Sequence, residues 1–592
     1  MDTFKIFLTT IFFSSLLFAK TAVNPFTISD NIEKSSYSSS NIFLSKPSIK
    51  NYYKIFDNQL IWSDKNGIKD ISITLLETIK NDPVLKPNIK IAFNFDEILE
   101  QLSNLENSNN SNTENMLKID LMLTRIYDKY MNYLSKGYID WNNFKEELKK
   151  LDEKEEIVAD WEKFDVKKNF AKLLKNALEY NNLSTAFDEV NYTYPKSKEL
   201  ANTIHEFENI SMQGGYIKLP KFDKLKLGDK KSIIKILRKR LIQSKDLKEN
   251  ICDIQVIENS ILDTCEIYDE NLEEAITSFQ RNHGLLTDGI VGPITRRYLN
   301  ISIETKITKM RLNLERMRWL PRSLGEKYLL VNIPDYRLKM YENDKVKINM
   351  KTVVGTKENP TPIFSHNISY VVLNPYWKIP ESIVKKELIP KLLENSDYLN
   401  GKDIKLHKNW NITSAQFDFK SIDWNLYDEN RVATTKLKTE IIDEEEFEIE
   451  EITEPIQGQV IRFIQLPSDK NPLGRMKFMF PNKYAVYLHD TPEKEYFKST
   501  KRAYSHGCVR LEEPKELLKA IALEDENLDF SKASLVLKNI KKESIELKKQ
   551  IPVHIIYLTS WIDENNNLQF RDDVYRYDQI QKKVINYSNS SM

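Results

Sequence analysis

The stretch Ala503–Pro514, AYSHGCVRLEEP, holds one of only three cysteines in 592 residues. Cys508 directly follows His506-Gly507 and stands two residues before Arg510. A thiol attacks a carbonyl as its thiolate, and a free cysteine titrates at about 8.5, so it needs a neighbouring base. Two of the seven histidines stand within twenty residues upstream: His506, and His489 at the end of the apolar run YAVYLHD, with fifteen residues between it and Ser505. Gly507 permits a tight turn that exposes the sulfur. Backbone N–H groups around Gly507 and Cys508 can face a tetrahedral oxyanion. This set suits acyl transfer through a covalent intermediate. Zinc is the chemical rival, but adjacent positions in SHGC are poor ligand spacing and no further Cys/His pair lies nearby, so neither metal nor cofactor is expected. The bland alternative is a structural cysteine with histidines beside it by chance.

The elements that must position these residues are β-rich. From about Lys327 the chain reads as strands separated by turns: KYLLVNIPDYRLKMYEN, INMKTVVGT, ISYVVLNPYW, VIRFIQLP, MKFMF and YAVYLHD. They predict a mainly antiparallel domain, interrupted at about 387–455 by an insertion that holds the acidic run DEEEFEIEEITE. That run reads as a solvated face or hairpin, or as part of a cap over a substrate cleft. Upstream, residues 20–245 read as mainly helical scaffold, with MLKIDLMLTRIYDKYMNYLSK carrying apolar residues three and four apart up to Gly137. Residues 246–302 form a small unit, with one helix ending at Asn282-His283-Gly284 and another starting at Pro293. The class is therefore multidomain α+β, and the tail 586–592 is expected to be disordered.

Charge says little about partners: 87 Lys and Arg balance 87 Asp and Glu, so no net field calls for nucleic acid or an anionic membrane. The apolar run Ile6–Phe18 is too short to span a bilayer and precedes Ala19, so residues 1–19 read as an export signal, or as an inner-membrane anchor if uncleaved. In an oxidising compartment Cys252 and Cys265, with 12 residues between them, can pair or remain two buried thiols; Cys508 is then the unpaired one.

The string from His489 to Ser505-His506-Gly507-Cys508-Val509-Arg510 resembles the signature of the YkuD-type L,D-transpeptidases. NLERMRWLP, VVGTKENPTPIFS, LNPYWKIPESI, NPLGRMKFMFPN and VYLHDTP resemble the large periplasmic YcbB-like branch, as do GGYIKLP and LKLGDKKSIIKILRKRL. Phe279-Gln280, Gly284-Leu285, Asp288-Gly289 and Val291-Gly292 resemble a three-helix peptidoglycan-binding module. The resemblance implies that Cys508 attacks the bond before the terminal D-Ala of a tetrapeptide stem. His489 then moves the proton, oriented by the Asp490 carbonyl. Ser505, His506 and Gly507 shape the pocket and oxyanion site. Arg510 replaces the Asn of many members, and either binds a stem carboxylate or supports the loop. Tyr487 and Trp377 line the cleft or are sheet core aromatics. The implied product is a 3–3 cross-link between stem peptides of the sacculus, and working beside wall synthases would be natural. Water as acceptor would make the protein an L,D-carboxypeptidase, and an idle site would leave a non-catalytic wall-binding protein.

Overall fold

The computed structural model describes residues 46–590 apart from 65–66, 86–97, 101, 103–112, 156–160, 192–193, 248–253, 258–259, 423, 425–434, 443–444 and 453–460. The expected export signal at 1–19 and Cys252 lie outside the described residues.

The longest described helix, α1 (Thr113–Lys136), runs through the scaffold. Its apolar stripe buries Leu117, Leu123, Tyr127, Met131 and Leu134 in the scaffold core. The buried Asp120 on the same helix is satisfied by the Tyr53 hydroxyl at 2.6 Å and the Trp62 N–H at 2.7 Å. Gly137 ends α1 with φ +83°. A Cβ there would collide with the Glu315 carboxylate, which accepts the Tyr138 and Ile139 N–H groups at 2.6 and 3.0 Å.

Helix α2 (Ser197–Met212) leads to the small module. There α3 (Ile233–Gln243), α4 (Glu270–Asn282) and α5 (Pro293–Leu299) share one core of Leu237, Leu241, Leu272, Ile276, Phe279 and Leu299. The expected boundary at 245/246 would cut this core, because Ile234, Leu237 and Leu241 of α3 are fully buried in it. Cys265 of this unit is disulfide-bonded.

Helix α6 (Ile303–Met317) joins the scaffold and module to the β domain. Arg316, 1% exposed, pairs with Asp578 at 2.7 Å and donates to Gln581 at 2.7 Å. A buried guanidinium without such partners would carry a heavy desolvation cost. Just beyond, the Trp319 ring meets Trp141 and Trp161, each at 5.1 Å between centroids.

The β domain is built on nine strands: β1 (Lys327–Asn332), β2 (Arg337–Glu342), β3 (Lys345–Gly355), β4 (Phe364–Leu373), β5 (Met476–Met479), β6 (Leu488–His489), β7 (Ala503–Ser505), β8 (Val509–Leu511) and β9 (Glu543–Ile556). Their order is β7-β3-β8-β6-β5-β4-β9-β1-β2, and β2 pairs back onto β3, so the sheet closes on itself. It is mainly antiparallel, as expected, with parallel pairs at β6–β8, β7–β3 and β9–β1. Leu329, Val354, Val371, Phe478, Leu488 and Val509 fill its interior.

The insertion between β4 and β5 is wider than 387–455. It has its own four-stranded antiparallel sheet, from Trp377–Lys378 to Arg462–Gln465, and a core that includes Ile379, Leu388, Leu406 and Phe463. The described part of the acidic run, Glu445–Ile452, is a strand paired antiparallel with Thr435–Ile442. At the C-terminus a helix, α7 (Tyr577–Ser590), runs through most of the tail expected to be disordered. Ile580 and Val584 anchor it in the main core and carry the helix onward.

Gly137→Ala should destabilise the protein by about 1–3 kcal/mol, through the positive φ and the displaced Glu315. Lys136→Ala, one residue earlier, should stay within about 1 kcal/mol. Urea unfolding followed by tryptophan fluorescence reads both.

Candidate active site

Strand β6 is only two residues long, although the run YAVYLHD predicts more. Asn482 Oδ1 accepts the N–H groups of Tyr484 at 3.0 Å and Val486 at 3.3 Å, and Ala485 takes φ +51°. The chain enters the sheet only at Leu488. In the parallel pairing Leu488 lies beside Val509 and His489 beside Arg510. On its other side β6 meets β5, with His489 opposite Lys477 and Leu488 opposite Phe478. Alternate residues of a strand face opposite sides of the sheet. Leu488, Val509 and Phe478 point into the main core. Tyr487, His489, Arg510 and Lys477 share the other face, and Cys508, next to Val509, opens onto it.

His489 is 4% exposed and its Nδ1 is 2.6 Å from the Asp490 carbonyl. A carbonyl only accepts, so Nδ1 carries the proton of the neutral ring and Nε2 is left basic. Burial, with Arg510 and Lys477 nearby, pushes the imidazole down to about 3, against the pull of the Asp490 and Leu473 carbonyls. The Cys508 thiol is free and half-buried. It points to the Ala485 carbonyl at 3.8 Å, a group the left-handed Ala485 turns inward. Burial raises its pKa, while hydrogen bonds from Tyr487 and the charges of Lys477 and Arg510 oppose the rise. The resting pair is therefore neutral thiol and neutral imidazole.

The turn that presents Cys508 is braced throughout. Gly507 sits at φ +111°, a region an L side chain rarely adopts. Ser505 Oγ donates to the Cys508 carbonyl at 2.5 Å and accepts the Gly507 N–H at 3.3 Å. Of the two N–H groups expected to face an oxyanion, that of Gly507 is thus turned to Ser505. Thr361 Oγ1 donates to the Gly507 carbonyl at 2.7 Å and accepts the Gly355 N–H at 2.9 Å, and Tyr575 donates to the Gly355 carbonyl at 2.7 Å. Sequence reasoning missed Thr361, Tyr575, Ala485 and Lys477. Lys477 alone left a signal, a charged residue inside the apolar run MKFMF.

The remaining expected residues divide. Tyr487 stands at the site, its ring 5.6 Å from His489 and under the Lys477 ammonium at 4.2 Å. Asp490 accepts from the Arg475 N–H at 2.9 Å and pairs with Lys494 at 3.0 Å. Arg510 pairs with Glu493. His506 turns outward, half-exposed, and its Nε2 meets Glu387 of the insertion at 2.9 Å. Trp377 packs instead against the insertion's own core. Among the described residues no group of three His, Cys, Asp or Glu side chains is placed to hold a metal ion.

A neutral pair predicts the pH course of thiol chemistry. With the Cys508 pKa raised, thiolate accumulates only as pH climbs above the ordinary thiol value of about 8.5. With His489 near 3, its titration adds no limb between pH 5 and 8. Iodoacetamide alkylation of Cys508 should rise steadily from pH 6 to 9. A preformed thiolate–imidazolium pair would instead alkylate at a flat, high rate across that range.

Residues 326–536 match the family model described as "L,D-transpeptidase catalytic domain". Residues 47–202 match a "Scaffold domain" model and residues 235–299 a "Putative peptidoglycan binding domain" model. A Haemophilus influenzae protein named "Putative L,D-transpeptidase" is 30% identical over 295 residues, covering 49% of this chain and 52% of that protein. The chain thus spans about half the length of the curated relative it matches. Among solved structures, an L,D-transpeptidase fragment from Xylanimonas cellulosilytica is 14% identical, covering 57% of this chain and 99% of the fragment, with TM-score 0.17. A fused amidase/peptidase and peptidoglycan-binding protein from Clostridium acetobutylicum is 16% identical over 25% of this chain and 70% of its own, with TM-score 0.10. These matches fall on the three units described above: residues 326–536 are similar to L,D-transpeptidase catalytic domains, residues 235–299 to peptidoglycan-binding domains and residues 47–202 to a scaffold domain.

Proposed function

We propose that this protein is an exported L,D-transpeptidase of the large YcbB-like branch. In this reading it forms 3–3 cross-links between peptidoglycan stems through a Cys508 thioester. The observation that carries it is the parallel pairing of β6 with β8, which sets His489 and Cys508 on one face of the sheet within a domain matched to this enzyme family. The disulfide at Cys265 supports export.

Cys508 Sγ attacks the carbonyl of the L-centre to D-Ala bond as its proton passes to His489 Nε2. The imidazolium that forms is stabilised by its Nδ1–H bond to the Asp490 carbonyl. Oxyanion charge falls to the Cys508 N–H and to the Tyr487 groups that face the sulfur. The tetrahedral species collapses, the imidazolium gives its proton to the leaving amine, and D-Ala departs. The side-chain amine of a second stem attacks the thioester, His489 takes its excess proton, and the thiolate leaves to be reprotonated. His506, engaged with Glu387, serves the loop and the insertion rather than the proton transfer.

Incubation with purified disaccharide-tetrapeptides and mass spectrometry tests this directly. Wild type should release D-Ala and yield dimers whose fragmentation places the bond at 3–3, and Cys508→Ala should yield neither. His489→Ala should cost about 10²–10⁴ in rate, and His506→Ala less than about tenfold. A larger loss for His506→Ala at equal stability would overturn the base assignment. Tripeptides without dimers would make the enzyme an L,D-carboxypeptidase.

A further inference from the structure

Strand β5 carries one charged residue, Lys477, between Met476 and Phe478. The register sets it between Val372 of β4 and His489 of β6. Around it this face of the sheet is apolar: Tyr370, Val372 and Met479 form a buried patch against which Tyr487 packs. Lys477 is 3% exposed, and its ammonium lies on the Tyr487 ring at 4.2 Å. Taking an ammonium out of water carries a heavy cost. Packing among Val372, Met479 and Tyr487 needs only the aliphatic stem, which a methionine would supply without that cost. What packing does not explain is the charge.

Two routes lead from that charge to the nucleophile. The first runs through Tyr487, whose side chain hydrogen-bonds the Cys508 sulfur and whose ring stands 5.6 Å from His489. A cation held on the face of a phenol draws electron density from the hydroxyl and makes it a stronger donor. The second is direct. The ammonium favours the thiolate form of Cys508 and disfavours the imidazolium form of His489. The other charged groups about the sulfur are engaged elsewhere: Arg510 with Glu493, and His506 with Glu387 of the insertion. Both routes serve acyl transfer. Sulfur must carry negative charge as it attacks and again as it leaves the thioester. The imidazolium must surrender its proton to the departing amine, which an acidic imidazolium does readily.

We infer that Lys477 is a positioning residue for the reaction: seated on Tyr487, it strengthens the hydroxyl that faces Cys508 and offsets the negative charge the sulfur carries. The inference rests on the reading of Cys508 as nucleophile and His489 as base, but its first test needs no substrate. Iodoacetamide alkylation of Cys508 is followed from pH 6 to 10 in the full chain, with melting curves to show equal folding. Lys477→Met keeps the stem and loses the charge. It should move the alkaline limb to higher pH and slow alkylation at pH 8 about threefold to tenfold. Lys477→Arg should stay within about twofold of wild type. Tyr487→Phe, which keeps the ring, should shift the limb in the same direction, and adding Lys477→Met to it should then shift the limb less than Lys477→Met does alone. Lys483→Met removes a lysine that lies on the neighbouring Tyr484 ring at 4.9 Å, and should leave the limb in place. With disaccharide-tetrapeptides, Lys477→Met should lower kcat about tenfold and leave KM within about twofold. An unmoved limb in a folded Lys477→Met or Tyr487→Phe protein overturns the inference. So does an equal shift from Lys483→Met, which would make the effect one of net charge. An arginine variant as impaired as the methionine one also overturns it, by making the effect one of shape. Alkylation gives its answer whether or not the protein joins stems, so a failure of the functional reading stays distinct from a failure of this inference.

Discussion

The site depends on one short register, Leu488 beside Val509 in a parallel pair of strands two and three residues long. Side chains alternate across a sheet, so a slip of one residue would send His489 into the apolar interior and Leu488 to the thiol face. Two residues cannot hold that register by ladder bonds alone. The flanks do it: β5 pins β6 from one side, β3 pins β8 from the other, and the Val509 N–H donates to the Tyr487 carbonyl at 3.1 Å. Fully buried Leu488, Val509 and Phe478 then make any other register cost the burial of large apolar side chains.

From the same placement follows the electrostatic character of the pair. His489 sits under cover with two cations close by, so its charged form is disfavoured at rest. The thiol is kept protonated by its own burial. Neither group carries the charge its chemistry requires until a carbonyl is present to receive the sulfur. Stabilisation reserved for the transition state raises the rate, whereas a preformed ion pair would lower the energy of the resting enzyme as well. The Asp490 carbonyl fits this arrangement. It costs little beside a neutral ring and gains strength as the ring becomes positive.

Cys508 and His489, the proposed nucleophile and base, could be singled out because cysteine and histidine are scarce in this chain and their spacing is distinctive. The strand-rich domain was legible from its alternation, and the hairpin from its acidic run. The braces were not. Thr361 and Gly507 are 146 residues apart, and Tyr575 and Gly355 are 220 apart. Nothing local distinguishes such a threonine or tyrosine from its many neighbours. Ala485 escaped notice because a left-handed alanine follows from the Asn482 hydrogen bonds rather than from its own preference. The start of the module was misplaced because a charged, amphipathic helix such as α3 reads alike in a scaffold or a module. Only the partner of its apolar stripe decides which.

Separation in sequence also explains the size of the assembly around so small a site. A turn held at positive φ stores strain that its surroundings must oppose, and here those surroundings come from distant chain. Gly507 is held by Thr361, Thr361 by Gly355 and Tyr575, and Tyr575 stacks on Tyr557 at 5.6 Å. Tyr557 in turn lies 6.1 Å from Trp161 of the scaffold, and Trp161 meets Trp319 beyond α6. A continuous line of packed groups thus connects the catalytic turn to the helical N-terminal region. Through these contacts the scaffold packs against the network that holds the turn at Cys508.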